Sequence, residues 1–221
     1  AFSVEKVYQL LYGDRPYNAS SIKTSMSQLL SLLKEYLAFS KYQEDKTGQK
    51  RYLLRKLNDL NESRYFPSIY EKAFSDLKKQ HISTADYHFE IVLLEEIYDD
   101  FRKRMPARDP KGLMQQAIQH LGYSFLIRMI RYKNSLEHRQ ATFNPSLEYR
   151  FMDICLEYIR EELEHLPPII QTYYQFYLAL STPGEIEIYQ KAVQSLSLLR
   201  DRFPGVEKDE WYTSAVNGTL R

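Results

Sequence analysis

The chain contains few of the residues on which nucleotide-binding loops and disulfide frameworks depend. Its single cysteine, Cys155, excludes an internal disulfide framework and fits a reducing compartment. Its seven glycines are scattered, and the closest pair, Gly112 and Gly122, is separated by ten residues. A phosphate-binding loop needs clustered glycines so that backbone amides can approach the anion. This glycine distribution argues against the common nucleotide-binding loops.

Long apolar runs and a strong net charge are also lacking. No run approaches the roughly 20 apolar residues that span a bilayer. The formal charge is +1, so the chain as a whole has no field that would recruit nucleic acid or an anionic membrane. We therefore expect a cytoplasmic protein with no membrane association and no cofactor.

Helical periodicity runs through almost the whole sequence, and no segment alternates in the manner of a strand between hairpin turns. The pattern predicts an all-α fold. Its clearest helix follows a cap at Asn18 or Ser20 and should end before Gly48. The apolar positions of this helix repeat every 3.6 residues and are Ile22, Met26, Leu29, Leu30, Leu33, Tyr36 and Leu37.

Several other helices can be placed from caps and apolar positions. Ser3 caps a short first helix that stops at Gly13, and a third helix covers residues 49–61 with Leu53, Leu57 and Leu60 inward. Further helices start at Pro67, at Ser83 or Thr84, and near residue 113. The helix after Asn144 carries Phe151, Ile154, Tyr158 and Ile159, and the helix after Pro168 carries Ile169, Tyr173, Phe176, Tyr177 and Leu180.

Four prolines recur at a nearly constant spacing, which suggests stacked helical hairpins. Pro67, Pro106, Pro145 and Pro183 are separated by 39, 39 and 38 residues. Asn144-Pro145 and Thr182-Pro183 combine a capping side chain with proline at the first helical position, whereas Pro106 marks only a loop. We predict irregular stacked helical hairpins of about nine to ten helices.

The predicted division is a basic N-terminal subdomain, residues 1–82, and a hairpin-repeat region, residues 83–221. A final helix near Trp211 lacks a partner, so the repeat region is expected to be truncated.

Four segments together resemble a family of uncharacterised bacterial helical proteins similar to tetratricopeptide-repeat arrays. They read NASSIKTSMSQLLSLLKEYLAF, LEEIYDDF, PPIIQTYYQFYLAL and EWYTSAVNGTLR. The resemblance covers most of the 221 residues and implies an α-solenoid within a longer protein. It implies no catalytic residues. The strict repeat motif is absent, and only YLALSTP, residues 177–183, approximates one part of it.

Candidate catalytic and metal-binding groups are few. Glu162 and His165 form an E-x-x-H pattern, but a di-iron site needs two such motifs and two further glutamates. No other histidine has a glutamate three residues before it. A solvated helix end is therefore the simpler interpretation. Cys155 lies beside Ile154 on an apolar stripe, as a structural cysteine does. We expect neither a metal site nor an enzyme.

Positive charge is concentrated in the N-terminal part of the chain. Residues 1–80 contain 14 Lys and Arg against 9 Asp and Glu. Four of these cations, Lys50, Arg51, Arg55 and Lys56, lie on one predicted helix, where they could contact phosphates. Association with nucleic acid, in a regulatory role, is therefore the alternative hypothesis. A solvated helix face is the simpler explanation.

Protein binding is the leading hypothesis for function, with Tyr173, Tyr177, Arg128 and Arg131 as candidate contacts. Tyr173 and Tyr177 lie four residues apart on one helix face, and tyrosine is common at binding hot spots. Arg128 and Arg131 are helical neighbours that could meet an acidic partner. Packing between hairpins is the simpler explanation for the tyrosines, and pairing with glutamates of this chain explains the arginines equally well.

Overall fold

The computed structural model describes residues 3–79, 83–104, 113–143, 149–182 and 184–199. These ranges contain nine α-helices, one short 3₁₀-helix and no strand, which confirms the all-α class and the predicted number of helices. The α-helices are α1 (Val4–Tyr12), α2 (Ala19–Glu44), α3 (Lys46–Asp59), α4 (Phe66–Lys78), α5 (Ala85–Arg102), α6 (Leu113–Phe143), α7 (Arg150–Glu161), α8 (Pro168–Ser181) and α9 (Ile186–Leu199). The 3₁₀-helix, Leu163–His165, lies between α7 and α8.

Helix starts follow the capping chemistry read from the sequence. The side chain of Ser3 accepts the amide of Lys6 at the start of α1. Asn18 caps α2 and Thr84 caps α5 in the same manner. Each cap satisfies amides that the helix itself leaves without a partner. Gly13 ends α1 with a φ of 66°, a conformation that glycine adopts without strain.

Some predicted boundaries lie outside the described residues. These are the loop at Pro106, the helix start at Asn144-Pro145, Pro183 itself and the helix near Trp211. In the described part, α7 begins at Arg150 and α9 begins at Ile186.

The chain divides into two compact units, residues 1–49 and residues 50–221. The division into residues 1–82 and 83–221 stays a prediction. In the first unit Tyr8 and Ile22 are buried. The Tyr8 ring packs against the rings of Tyr12 and Tyr17, and the Tyr12 hydroxyl forms a hydrogen bond with Ser25. These contacts hold α1 against the first turns of α2.

In the second unit, α4 contacts α5, α5 contacts α6, α6 contacts α8 and α8 contacts α9. Phe66 at the start of α4 stacks on Phe101 near the end of α5, with ring centroids 3.9 Å apart, so these two helices are antiparallel. Ser124 of α6 donates to the carbonyl of Ala85 in the first turn of α5. The contacts are those of successive helical pairs, and a solenoid arrangement stays a prediction.

Two apolar clusters form the core of the second unit. The first joins α3, α4 and α5 through Leu54, Phe66, Tyr70, Ala73, Leu77, Ile91, Leu94, Ile97 and Phe101. The second joins α6, α7 and α8, and it includes Leu126, Ile127, Ile130, Met152, Cys155, Ile159, Ile170, Tyr173 and Phe176. Helix α5 packs against both α4 and α6.

The buried leucine of α3 differs from the three that the sequence predicted. Leu54 is fully buried, whereas Leu53 and Leu60 are exposed and only Leu57 packs against the core. Leu54 and Leu57 are three residues apart and share a helix face. The closely spaced leucines allow either of two adjacent helix faces to point into the core, and in the structure the face that contains Leu54 does so.

Candidate functional site

Helix α6 exposes an apolar stripe on the side that does not enter the core. Spacings of three, four and seven residues place its members on one side of the helix. They are Met114, Ile118, Leu121, Phe125 and Tyr132, all of them exposed. The buried residues Ala117, Ser124 and Ile127 lie on a different side.

Helix α7 is apolar on two sides and buries only one of them. Met152, Cys155, Leu156 and Ile159 belong to the core, and Ile159 is 0% exposed. Phe151, Ile154 and Tyr158 follow the i, i+3, i+7 spacing of a second face and are exposed, Ile154 by 54%. In the sequence these three belong with Ile159 to the apolar positions of one predicted helix. The structure separates them from Ile159.

The two exposed stripes meet at an aromatic contact. The rings of Phe125 and Phe151 have centroids 5.6 Å apart. We call the combined set the α6/α7 apolar surface, and its members are Ile118, Leu121, Phe125, Phe151, Ile154 and Tyr158. A cluster of large apolar side chains that remains in water is typical of an interaction site.

Arg128 lies three residues after Phe125 on α6 and borders this surface. Its Nη2 donates to Oδ1 of Asp86 at 2.7 Å, and its guanidinium lies 5.5 Å from the centroid of the Phe89 ring. These two contacts hold the side chain on α5 while 45% of it stays exposed. Arg131 is half-buried and has interactions of its own within the chain.

The two candidate tyrosines belong to α8 and differ in exposure. Tyr173 is 1% exposed and lies in the core cluster of α6, α7 and α8. Tyr177 is half-buried against that cluster, and the ammonium of Lys133 lies 5.9 Å from its ring centroid. This burial favours the packing interpretation for Tyr173. Tyr177 keeps only part of its ring in contact with water.

The four candidate cations of α3 divide into two pairs with different surroundings. Lys50 forms an ion pair with Asp76, and Arg51 forms one with Glu90 at 2.5 Å. Hydrogen bonds from Lys50 and then Lys79 hold the pKa of the Asp76 carboxyl below its ordinary value. Arg55 and Lys56 are exposed, and neither forms an ion pair with a described residue. Two of the four predicted phosphate-binding cations therefore already form ion pairs with carboxylates of this chain.

The E-x-x-H pattern is not carried by a continuous α-helix. Glu162 follows the last residue of α7, and His165 ends the 3₁₀-helix. Across the described ranges, no three His, Cys, Asp or Glu side chains are grouped as a metal ion would require. Cys155 is buried, and burial raises the pKa of its thiol, which keeps the thiol in its unreactive protonated form.

A histidine pair lies between α5 and α6, with His88 buried and His120 half-buried, and the sequence pattern did not predict it. His88 and His120 approach with their Nδ1 atoms 2.7 Å apart, so one ring must donate and the other accept. The rings of Tyr87 and Tyr123 contact the pair edge to face. Burial, and then the neighbouring His120, lower the pKa of His88 to about 4. Burial, and then Lys78, lower the pKa of His120.

Glu95 is a second buried polar group, two turns beyond His88 on α5. It is 3% exposed, and neither carboxylate oxygen has a hydrogen-bond partner of ordinary geometry among the described residues. Burial raises the pKa of Glu95 against the opposing effects of Tyr70 and Lys78. Burial and then the charge of Glu95 raise the pKa of the Tyr70 hydroxyl.

The spacing of these buried groups was visible in the sequence. His88, Glu95 and the apolar residues Ile91 and Leu94 lie within two turns of one predicted helix. A helix packed on two sides leaves little room for a solvated face. That rule could have identified His88 and Glu95 as buried. It could not have shown that His88 meets His120.

The described residues thus define an all-helical protein with an exposed apolar surface on its larger unit. No protein-family model, curated protein or solved structure matches the chain. The resemblance to tetratricopeptide-repeat arrays therefore stays a prediction. No described helix is both long enough and apolar enough to cross a membrane.

Proposed function

We propose that this chain is a non-catalytic helical module that binds another protein through the α6/α7 apolar surface. The observation that supports the proposal is the exposure of Phe151, Ile154 and Tyr158 on one face of α7, beside Phe125 of α6. Residues needed only for folding would enter the core, as the neighbouring face of α7 does. A helix that keeps both faces apolar has a second surface to bury.

The composition of the surface suits a protein partner. Burying a large apolar side chain completely contributes roughly 1.5–3 kcal/mol, and binding hot spots are enriched in aromatic residues and arginine. The surface combines Phe125, Phe151 and Tyr158 with Arg128 at its border. Arg128 is held by Asp86 and Phe89, so little side-chain entropy would be lost on binding. We expect the partner to present an apolar segment, such as one face of a helix.

The competing hypothesis of nucleic-acid binding receives less support. Lys50 and Arg51 are paired with Asp76 and Glu90, so a phosphate would have to displace a carboxylate from each. Only Arg55 and Lys56 remain exposed without such a pair among the described residues. Two exposed cations on one helix are common on ordinary protein surfaces.

Affinity capture from the lysate of the source organism tests the proposal. Three tagged baits are compared by quantitative mass spectrometry: the wild-type chain, the double variant Phe151→Ser/Ile154→Ser, and Leu60→Ser. Leu60 is an exposed leucine outside the α6/α7 apolar surface and is the matched control. We expect at least one protein whose recovery falls about 10-fold or more with the double variant, because two apolar contacts are lost.

That protein must remain bound to the Leu60→Ser bait. It must also bind the purified wild-type chain directly in calorimetry. If every protein retained by the wild-type bait is retained equally by the double variant, the surface has no role in partner binding. Circular dichroism shows whether the double variant is folded, which we expect because both positions are exposed.

A further inference from the structure

Helix α2 carries the largest set of exposed apolar side chains on any single helix that the structure describes. Its members are Met26, Leu29, Leu30, Leu32, Leu33, Tyr36, Leu37, Phe39 and Tyr42. Only Ile22, near the start of the helix, is buried. Most of this stripe is visible in the sequence as an amphipathic pattern. In the structure the stripe lies in water instead of against a core.

The spacing of the stripe is that of a coiled-coil seam. Ile22, Met26, Leu29, Leu33 and Tyr36 follow alternating steps of four and three residues, which are the a and d positions of a heptad. The flanking e and g positions are also apolar, and they are Leu30, Leu32, Leu37 and Phe39. The charged residues between Met26 and Phe39, Lys34 and Glu35, fall at the outer b and c positions. Eight apolar side chains therefore form one continuous face, the α2 face (Met26, Leu29, Leu30, Leu32, Leu33, Tyr36, Leu37 and Phe39).

We propose that a second copy of this chain covers the α2 face, through an antiparallel pair of α2 helices. A symmetric pair requires a surface that is complementary to itself. The α2 face meets this requirement because no charge lies at its a, d, e or g positions from Met26 to Phe39. The inference rests on α2 alone and does not depend on the proposed function of the α6/α7 apolar surface.

The area of the α2 face is sufficient for a stable dimer. Its eight large side chains are each between 49% and 66% exposed. Together they offer apolar surface on the order of several hundred Å² per copy, comparable with the roughly 800 Å² that one partner usually contributes to a specific interface. Leaving that area in water would be unusual for a monomer.

The antiparallel direction follows from the two ends of the helix. Helix α1 covers the first turns of α2 through Tyr12 and Ser25, so the free stretch is centred near Leu33. An antiparallel pair centred there brings Lys23 of each copy to the level of Glu44 of the other. A parallel pair would place like charges, and the two α1 helices, at the same level. Antiparallel helices also oppose their dipoles favourably.

The molar mass in solution, measured by sedimentation across a dilution series, tests the dimer. For the 221-residue chain of 26.4 kDa we expect a species of twice that mass at high concentration. Leu33→Glu should raise the dissociation constant about 100-fold or more, because the dimer carries the substitution twice at its centre. The control is Leu60→Glu, at an exposed leucine of the other unit, and it should leave the dimer intact. A wild-type chain that stays monomeric, or a dimer indifferent to Leu33→Glu, would overturn the proposal.

Single cysteines test the direction of the pair. Leu33→Cys lies at the centre, so it should form a disulfide with its counterpart in the second copy. Met26→Cys should not, because the two counterparts would lie about 20 Å apart at 1.5 Å per residue, far beyond the roughly 4.4–6.8 Å between bridged Cα atoms. Cys155 is buried and does not interfere. Disulfides at both positions would indicate a parallel pair, and a disulfide at neither would exclude the α2 contact. Either result contradicts the antiparallel dimer.

Discussion

At the scale of single residues, the histidine pair between α5 and α6 couples stability to pH. His88 is 4% exposed, and its pKa is lowered to about 4, so the folded state holds its imidazole neutral. The unfolded chain takes up a proton near the ordinary pKa of about 6.5. The stabilisation from neutral His88 is therefore complete above pH 6.5 and is lost as pH falls from 6.5 towards 4. His120 shifts in the same direction.

We expect the free energy of unfolding to fall by about 2 kcal/mol between pH 7 and pH 5 on account of His88 alone. Urea denaturation at the two pH values measures the difference. His88→Phe removes the titrating ring. The free energy of unfolding of this variant should therefore fall by about 2 kcal/mol less than that of the wild type between pH 7 and pH 5. His165 is exposed, and His165→Gln should keep the wild-type dependence. Equal losses in wild type and His88→Phe would show that His88 is not held neutral by the fold.

Glu95 acts in the opposite direction. Its carboxyl group is buried and has no hydrogen-bond partner of ordinary geometry in the part of the chain that the structure describes, and burial raises its pKa. The folded state therefore favours the protonated form. The stability associated with protonated Glu95 is present below the ordinary pKa of about 4.5 and is lost as pH rises through the folded value. At neutral pH the buried, ionised carboxylate therefore lowers the stability of the folded state.

Glu95→Gln should stabilise the protein by roughly 1–2 kcal/mol at pH 7, because an amide is cheaper to bury than a carboxylate. Thermal and urea unfolding at pH 7 measure the gain, which should shrink below pH 4.5. Glu96 is the adjacent, exposed glutamate, and Glu96→Gln should change stability by less than about 0.5 kcal/mol. A loss of stability in Glu95→Gln would mean that the ionised carboxylate has a favourable contact.

At the scale of elements, helical periodicity predicted where helices lie better than which of their faces are buried. The caps at Ser3, Asn18 and Thr84 are where the sequence placed them. Helix α7 shows the limit of the method. Two apolar stripes about a third of a turn apart satisfy the same period, and nothing local decides whether Phe151 or Met152 faces the core. That choice depends on the position of α6, a contact that is distant in sequence.

The same limit applies to the surfaces proposed for binding: the sequence could not show which apolar residues are exposed. The sequence identified α2 as the strongest amphipathic helix, but its apolar face is exposed because no other element of its own unit is long enough to cover it. Tyr173 was a candidate for partner binding on its spacing with Tyr177, and it lies in the core. The amino-acid sequence could not show that the apolar face of α2 is exposed whereas Tyr173 is buried. Both depend on how many neighbours a helix has.

At the scale of the whole molecule, the two compact units have very different cores. Residues 50–221 contain both apolar clusters, with Leu54, Phe66, Ile159 and Ile170 fully buried. The described part of residues 1–49 buries two large apolar side chains, Tyr8 and Ile22. Since buried apolar area is the main source of stability, the smaller unit should open at much lower free energy.

Hydrogen exchange measured by mass spectrometry should show this difference directly. In dilute solution we expect amides of α2 to exchange about 100-fold or more faster than amides of α5 and α8, since each 1.4 kcal/mol of local stability is a factor of ten. If α2 pairs with a second copy, its protection rises with protein concentration, because association stabilises the paired state by mass action. The exchange of α5, which lies in the core of the other unit, serves as the internal control. In Leu33→Glu the α2 amides should stay fast at every concentration. Uniform protection of α2 and α5 in dilute solution would contradict this account, because it would require the smaller unit to hold a source of stability other than buried apolar area.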